Sequence, residues 1–186
     1  MASIAFFYFD FRDHLKQDDR GTISSLLTQL SAQSDGFCDI LERLYSVNHA
    51  GSIKPSRDEL KDCLKSMLML QDQGPIFIVL DGIDECPDSF GTPSPRGKVL
   101  ELVAWLSELR RSHLSICITS RPEADIEVAF QPLAPRTVCL HTQEGQKEDI
   151  VNYIKGIINS DPKMRRWRKE DKELVIEKLS ERADGM

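Results

Sequence analysis

Three carboxylates follow a short apolar run near the middle of the chain. The run, IFIVL at residues 76–80, is too short for a buried helix and is rich in branched and aromatic side chains. It therefore predicts a strand that is covered on both faces, as in a parallel sheet. Asp81, Asp84 and Glu85 come directly after it, at the edge of the sheet where open α/β folds bind ligands.

These acids are suited to metal and water chemistry. Asp81 is the candidate to hold a magnesium ion, directly or through a water, because the strand before it fixes its backbone. Glu85, with Asp84 as its competitor, is the candidate to polarise a water for attack on a terminal phosphate. The alternative is that the strand ends in a polar turn and Asp84 and Glu85 only cap the next helix.

A second group of polar residues follows another apolar run, LSICIT at residues 114–119. Arg121 lies two residues beyond this predicted strand, and its planar guanidinium suits bidentate binding of a phosphate. Thr119 and Ser120 are candidates to hydrogen-bond a phosphate or the active-site water. The alternative for Arg121 is a solvated side chain ahead of the turn-forming Pro122.

Strand and helix patterns alternate along the chain. Apolar runs predict strands over residues 4–11, 76–80, 114–119 and 137–141. Two helices are predicted between the first two strands, one between the second and third, a short one before the fourth, and two after it. This alternation indicates an α/β fold with a parallel sheet and right-handed crossovers.

Several polar residues mark the starts of the predicted helices. Thr22 is the candidate N-cap of the first helix, over residues 22–32. Pro55 and Ser56 open a later helix, and Ser94 and Pro95 form a cap and first-turn pair for the helix that follows the acids.

The composition is that of an ordinary soluble globular domain. The chain has 186 residues, of which 40% are hydrophobic and 29% charged. Twenty-four Lys and Arg against 30 Asp and Glu give a net charge of −6, which argues against binding to nucleic acids or anionic membranes. No signal peptide or membrane-spanning run is present in the sequence, so we expect a cytoplasmic protein.

The five cysteines form no CxxC pair. Cys117 and Cys139 lie within apolar runs, so the cysteines are interpreted as small buried hydrophobic residues in a reducing compartment. The histidines lack the spacing of metal ligands, and no metal site built from His or Cys is assigned.

Taken together, the motifs resemble those of a known family. The segment IFIVLDGIDEC resembles the Walker B segment of NACHT domains, which belong to the STAND class of P-loop signalling ATPases, and LSICITSRPE resembles their sensor 1 strand. IAFFYFDFRD, followed by the SSLLTQL helix, is similar to the second core strand and helix of fungal-type NACHT proteins. ERADGM resembles the start of the segment after their lid helices, so the resemblance covers nearly the whole chain.

The resemblance implies roles for the candidate residues. Asp81 would help to hold magnesium, Asp84 and Glu85 would support ATP hydrolysis, and Arg121 would read the terminal phosphate. The parent would be an NLR-like ATPase of innate-immunity or cell-death signalling, in which the nucleotide controls oligomerisation. Residues 1–142 would form a partial nucleotide-binding core, and residues 143–186 a truncated helical lid.

One departure from the family concerns the phosphate-binding loop. The Walker A pattern G-x-x-x-x-G-K-[ST] is absent from this sequence. The nearest string, GTPSPRGKV at residues 91–99, has one residue too many between its glycines and ends with Val99 where a hydroxyl is needed. The fold expected is therefore an α/β sheet of the P-loop NTPase (ASCE/STAND) type without its first strand and P-loop. This chain alone should neither bind magnesium and ATP tightly nor hydrolyse ATP.

The missing first strand also affects the expected sheet. In the family's strand order it lies beyond the sensor strand, so the strands at residues 4–11, 76–80 and 114–119 can still pair as neighbours. The strand at residues 137–141 either moves in beside the sensor strand or leaves an open edge. The alternative function is therefore a nucleotide-free protein-interaction module that uses this edge, with protein partners or self-association through the core. A third hypothesis, a metal-dependent hydrolase or nuclease, lacks a supporting carboxylate cluster.

Overall fold

The computed structural model of the chain describes residues 2–71, 73–88, 93–133, 136–138, 144–164 and 166–182. The chain divides into two compact units, Met1–Pro135 and Arg136–Met186. The predicted boundary between residues 142 and 143 lies outside the described residues.

The first unit is built on a three-stranded parallel sheet. Strands β1 (Ser3–Tyr8), β2 (Ile76–Asp81) and β3 (Leu114–Ile118) pair in the order β1-β2-β3. The register sets Tyr8 beside Asp81, at the carboxyl edge. The structure thus confirms an α/β fold in which these three predicted strands are parallel neighbours.

Helices connect the strands. Helices α1 (Asp19–Ser31), α2 (Asp35–Val47) and α3 (Arg57–Leu68) lie between β1 and β2 in the chain. Helix α4 (Pro95–Glu108) connects β2 to β3, and α5 (Ala124–Phe130) follows β3. Two helices were predicted between β1 and β2, whereas the structure has three. Helices α4 and α5 were predicted, with boundaries that differ by at most a few residues.

The caps of these helices were predicted in part. Ser56 forms a capping box with Glu59, and Ser94 accepts the N–H of Gly97 at 3.0 Å, so both predicted caps are confirmed. The predicted cap at Thr22 is wrong. Helix α1 is capped by Asp18, whose carboxylate accepts the N–H of Gly21 at 2.7 Å. Thr22 is buried inside the helix, where its hydroxyl donates back to the Asp18 carbonyl.

The core lies on one face of the sheet. Alternate strand residues, including Phe7, Ile78 and Leu80, are buried with apolar side chains of α1, α3 and α4. On the opposite face Phe6 is 43% exposed and Phe77 is 42% exposed. In the described part of the chain the prediction that both faces of β2 are covered is therefore wrong, because these helices all contribute to the same core.

The difference between the two faces of the sheet accounts for the exposure of one cysteine. Cys63 and Cys86 are buried, as predicted, whereas Cys38 in α2 is only half-buried. Cys117 is exposed, contrary to the prediction, because it pairs in register with Val79 on the open face of the sheet. Cys139 lies outside the described residues.

The outer edge of β1 is occupied by two glutamine side chains, one from α1 and one that follows its C-terminal end. Gln33 accepts the N–H of Ile4 at 2.9 Å and donates to its carbonyl at 2.6 Å. Gln29 does the same for Phe6, at 3.0 and 2.7 Å. The two amides thus take the hydrogen-bonding place of a neighbouring strand and block this edge.

The second unit contains two helices, as predicted. Helix α6 (Glu144–Ser160) contacts α7 (Lys169–Arg182). Of the strand predicted over residues 137–141, residues 137 and 138 are not in a strand and the others lie outside the described residues. No helix in the described ranges has the length and apolar character needed to cross a membrane.

Candidate functional site at the carboxyl edge of the sheet

The acids that follow β2 lie on a tight turn. Gly82 adopts φ 70° and ψ 44°, a left-handed conformation that glycine takes without strain. A single turn of 3-10 helix, Ile83–Glu85, follows, and the buried Ile83 side chain anchors it in the core. Because α4 has its own cap in Ser94, Asp84 and Glu85 do not serve as the cap of that helix.

Thr119 joins the ends of β2 and β3. Its hydroxyl donates to a carboxylate oxygen of Asp81 and accepts the N–H of Gly82 at 3.0 Å. Its backbone continues the pairing, since Thr119 donates to the carbonyl of Leu80 at 3.0 Å and accepts the N–H of Ile83 at 3.1 Å. Two of the predicted site residues, Asp81 and Thr119, are therefore in direct contact.

Asp84 and Arg121 form the second link. The Arg121 N–H donates to Oδ1 of Asp84 at 3.0 Å, and its Nε lies 3.5 Å from Oδ2. The Asp84 side chain is only 10% exposed, whereas that of Arg121 is 81% exposed. Asp84 therefore holds the segment after β3, while most of the Arg121 guanidinium faces solvent.

Glu85 and Ser120 differ from the other predicted site residues in their contacts with the protein. The carboxylate of Glu85 is half-buried and has no hydrogen-bond or ion-pair partner among the described residues. Ser120 is exposed. The two neighbouring acids thus differ in their contacts, because the carboxylate of Asp84 binds the segment after β3.

Arg96, in the first turn of α4, is a site component that the sequence interpretation missed. Its Nη2 donates to the carbonyl of Asp84 at 2.8 Å and its Nε to that of Cys86 at 2.9 Å. Its Nη1 lies 3.3 Å from both carboxylate oxygens of Asp125 in α5. A sequence signal was present, because a cation in the first turn of a helix is opposed by the helix dipole.

The carboxyl end of β1 adds a charged pair to the same edge. The N–H of Phe9 donates to the carbonyl of Asp81 at 2.9 Å. Next to it, Arg12 binds both carboxylate oxygens of Asp10 at 3.0 Å. The hydrogen bonds from Arg12 lower the pKa of Asp10 to about 2, so this carboxylate is ionised at neutral pH.

The thiol of Cys86, at the end of the turn, is buried in the core. It donates to the carbonyl of Gln17 at 2.8 Å, and burial raises its pKa to about 12. This cysteine is therefore a packing group and an un-ionised thiol at neutral pH, not a nucleophile.

The oxygen donors at the edge suit magnesium in type. Asp81 and Thr119 present a carboxylate and a hydroxyl, which are hard ligands. Within the described residues, no group of three or more His, Cys, Asp or Glu side chains is placed to hold a metal. A magnesium ion at Asp81 would thus take most of its ligands from water and phosphate, as this ion commonly does.

The fold and the carboxyl edge of the sheet together define an α/β protein. Its polar and charged side chains lie together at the carboxyl ends of parallel strands. The family model described as nephrocystin 3, N-terminal, matches residues 1–121 of the chain. The chain therefore belongs to the nephrocystin 3 N-terminal family. The match includes all three described strands and ends at Arg121. No curated protein and no solved structure matches the chain.

Proposed function

We propose that this chain is part of a nucleotide-switched signalling ATPase of the NACHT/STAND type, NLR-like in its role in innate immunity or cell death. The observation that carries the proposal is the pair of contacts Asp81–Thr119 and Asp84–Arg121. They join the segment that resembles Walker B to the segment that resembles sensor 1, at the edge of a parallel sheet where nucleotides bind. The fold proposed is accordingly that of a P-loop NTPase.

Each site residue has a role in this proposal. Asp81 holds magnesium, directly or through a water, and Thr119 fixes the orientation of its carboxylate. Glu85 polarises the attacking water. Arg121 contacts the terminal phosphate with its exposed guanidinium, and Ser120 is available to the phosphate or the water. Asp84 acts by positioning Arg121.

This 186-residue chain is proposed to be inactive by itself because its sequence contains no Walker A loop. Each charge-assisted hydrogen bond to a phosphate contributes about 1.5–3 kcal/mol, and about 1.4 kcal/mol corresponds to a factor of ten in affinity. Losing several of these bonds takes a micromolar affinity beyond the millimolar range. Magnesium and ATP are thus the cofactors of the longer protein, in which a Walker A segment completes the site.

The exposed side of the sheet is consistent with a longer core. Ile4, Phe6 and Phe77 form an apolar surface of the kind that α/β proteins cover. Partners are proposed to be other proteins or further copies of the chain, without nucleic acid or membrane. The free cysteines Cys38 and Cys63 fit a reducing, cytoplasmic location.

Two measurements test the proposal. Sequencing of the transcript upstream of Met1 should reveal an in-frame G-x-x-x-x-G-K-[ST] segment. Calorimetric titration with magnesium-ATP should then give micromolar affinity for the longer protein and none for the chain alone. Asp81→Asn in the longer protein should weaken the magnesium-dependent part of the binding. Micromolar binding by the chain alone contradicts its proposed inactivity, and absence of binding by a protein with an intact Walker A segment contradicts the ATPase.

A second candidate, a nucleotide-free protein-interaction module, is favoured by one observation. Two glutamines block the outer edge of β1, whereas no strand in the described residues pairs with the outer edge of β3. An unblocked edge is able to accept a strand from another chain. A transcript without a Walker A segment, together with nucleotide-independent association that is lost in Ile116→Pro, would favour this module over the ATPase.

A further inference from the structure

The side chain of Arg96, which comes from α4, contacts both the turn after β2 and the helix after β3. It is 11% exposed, and all three of its guanidinium nitrogens have protein partners. Two of the partners are on the turn after β2 and the third is on the helix after β3. We infer that Arg96 is a positioning residue that sets the placement of the Asp84–Glu85 turn relative to the Arg121 segment.

On the side of the turn, Arg96 fixes the backbone around Glu85. Its bonds to the carbonyls of Asp84 and Cys86 bracket that residue, at 2.8 and 2.9 Å. The backbone N–H of Arg96 also donates to the carbonyl of Pro87 at 3.1 Å. The segment that carries both acids is therefore attached to the start of α4 at several points.

On the other side, Arg96 holds the element that follows Arg121. Its contact with Asp125 lies four residues further along, in the first turn of α5. The buried Ile126 fixes the same turn of that helix in the core. The Arg96 side chain thus adds a second connection between the Asp84 turn and the Arg121 segment, beside the direct contact between Asp84 and Arg121.

The chemistry of the guanidinium explains why an arginine stands here. Its planar fork presents donors in fixed directions and satisfies the two carbonyls and the carboxylate at once, which a lysine ammonium on a flexible stem cannot do with the same geometry. The helix dipole opposes a cation at this position, so the bonds to the turn and to Asp125 must outweigh it.

The inference takes its functional meaning from the proposed ATPase, but its test uses no nucleotide. Amide hydrogen exchange of the full 186-residue chain is measured by NMR in Arg96→Gln and Arg96→Lys. The readout is the exchange of the Arg121 N–H, which donates to Asp84, relative to that of the Ile76 N–H, which donates to His113 at 2.7 Å at the far end of the sheet.

Arg57→Gln is the matched control. Arg57 also lies in the first turn of a helix, and it bonds to Asp19 and Glu101 without touching the site. An arginine with only a general role in stability raises exchange at the buried Ile76 at least as much as at the exposed Arg121. Arg96→Gln is expected to raise the Arg121 exchange about tenfold more than that of Ile76, with a smaller excess in Arg96→Lys.

A factor at Arg121 that is no larger than the factor at Ile76 in both Arg96 variants would overturn the inference. If Arg96→Gln does not fold, Arg96→Lys and Asp125→Asn are judged by the same ratio. A selective change at Arg121 in a chain whose longer form does not bind ATP rejects the proposed function and leaves the positioning role intact. ATP binding by the longer form, without a selective change at Arg121, would reject the positioning role and leave the proposed function intact.

Discussion

The backbone nitrogen of Arg121 lies 3.0 Å from Oδ1 of Asp84, so the first acid of the turn after β2 is bound by the protein's own backbone. Asp84 and Glu85 are adjacent in sequence, yet only the first has a partner among the described residues. The left-handed Gly82 and the short turn that follows produce this division. The two adjacent acids thus differ in their contacts with the protein, and this difference is a property of the turn.

This division predicts different costs of removing the two acids. Asp84→Ala removes the acceptor of the Arg121 N–H and a carboxylate that is only 10% exposed, and we expect the free energy of unfolding to fall by about 1 kcal/mol. Glu85→Gln should change it by less than about 0.5 kcal/mol. Urea denaturation followed by circular dichroism measures both. Equal losses would show that Glu85 also has a structural partner.

The backbone of Gly82 supports a second prediction. A Cβ added there would have its nearest neighbours at 3.7 Å, so space is available, but φ is 70°. Gly82→Ala should therefore cost about 1–2 kcal/mol through backbone conformation alone, and Gly82→Asn less. Thermal unfolding followed by circular dichroism gives the comparison.

Gly156 provides the control for that substitution. It lies within α6 and a Cβ there meets no atom within 4 Å. Gly156→Ala should be neutral or stabilising because alanine favours the helix. A Gly82→Ala protein as stable as the parent would contradict the strain assigned to an alanine at this φ.

The sequence predicted the elements better than it predicted their surroundings. The β2 pattern located both the strand and its acids, because the apolar run and the glycine are local signals. The same run did not reveal that Phe77 is exposed, since apolar residues predict burial without saying which element covers them. The contacts of Arg96 joined segments separated by up to 29 residues, and only the fold brings such segments together.

Burial of Cys86 predicts a dependence on pH. Its pKa is raised from the usual 9.0 to about 12, chiefly by burial. The folded chain therefore holds this proton where the unfolded chain releases it, so the stability contribution is full below pH 9 and is lost as the pH rises toward 12. Cys86→Ser should flatten the loss of stability over this window, as measured by urea denaturation at a series of pH values.

Alkylation provides an independent measurement of the same thiol. Exposed Cys117 should be modified first by iodoacetamide at pH 8, and Cys86 only after denaturant is added. Peptide mass spectrometry distinguishes the two sites. Modification of Cys86 in the native chain at the rate of Cys117 would contradict its burial.

The glutamines that block the edge of β1 give the last prediction. Gln29→Ala combined with Gln33→Ala frees the N–H and C=O groups of Ile4 and Phe6, beside apolar side chains on the open face. We expect a loss of about 1 kcal/mol of stability per glutamine and concentration-dependent association through the exposed edge. Size-exclusion chromatography at several concentrations measures the association, with Thr28→Ala on the exposed side of α1 as the control. A double variant that stays monomeric at every concentration would show that another feature protects this edge.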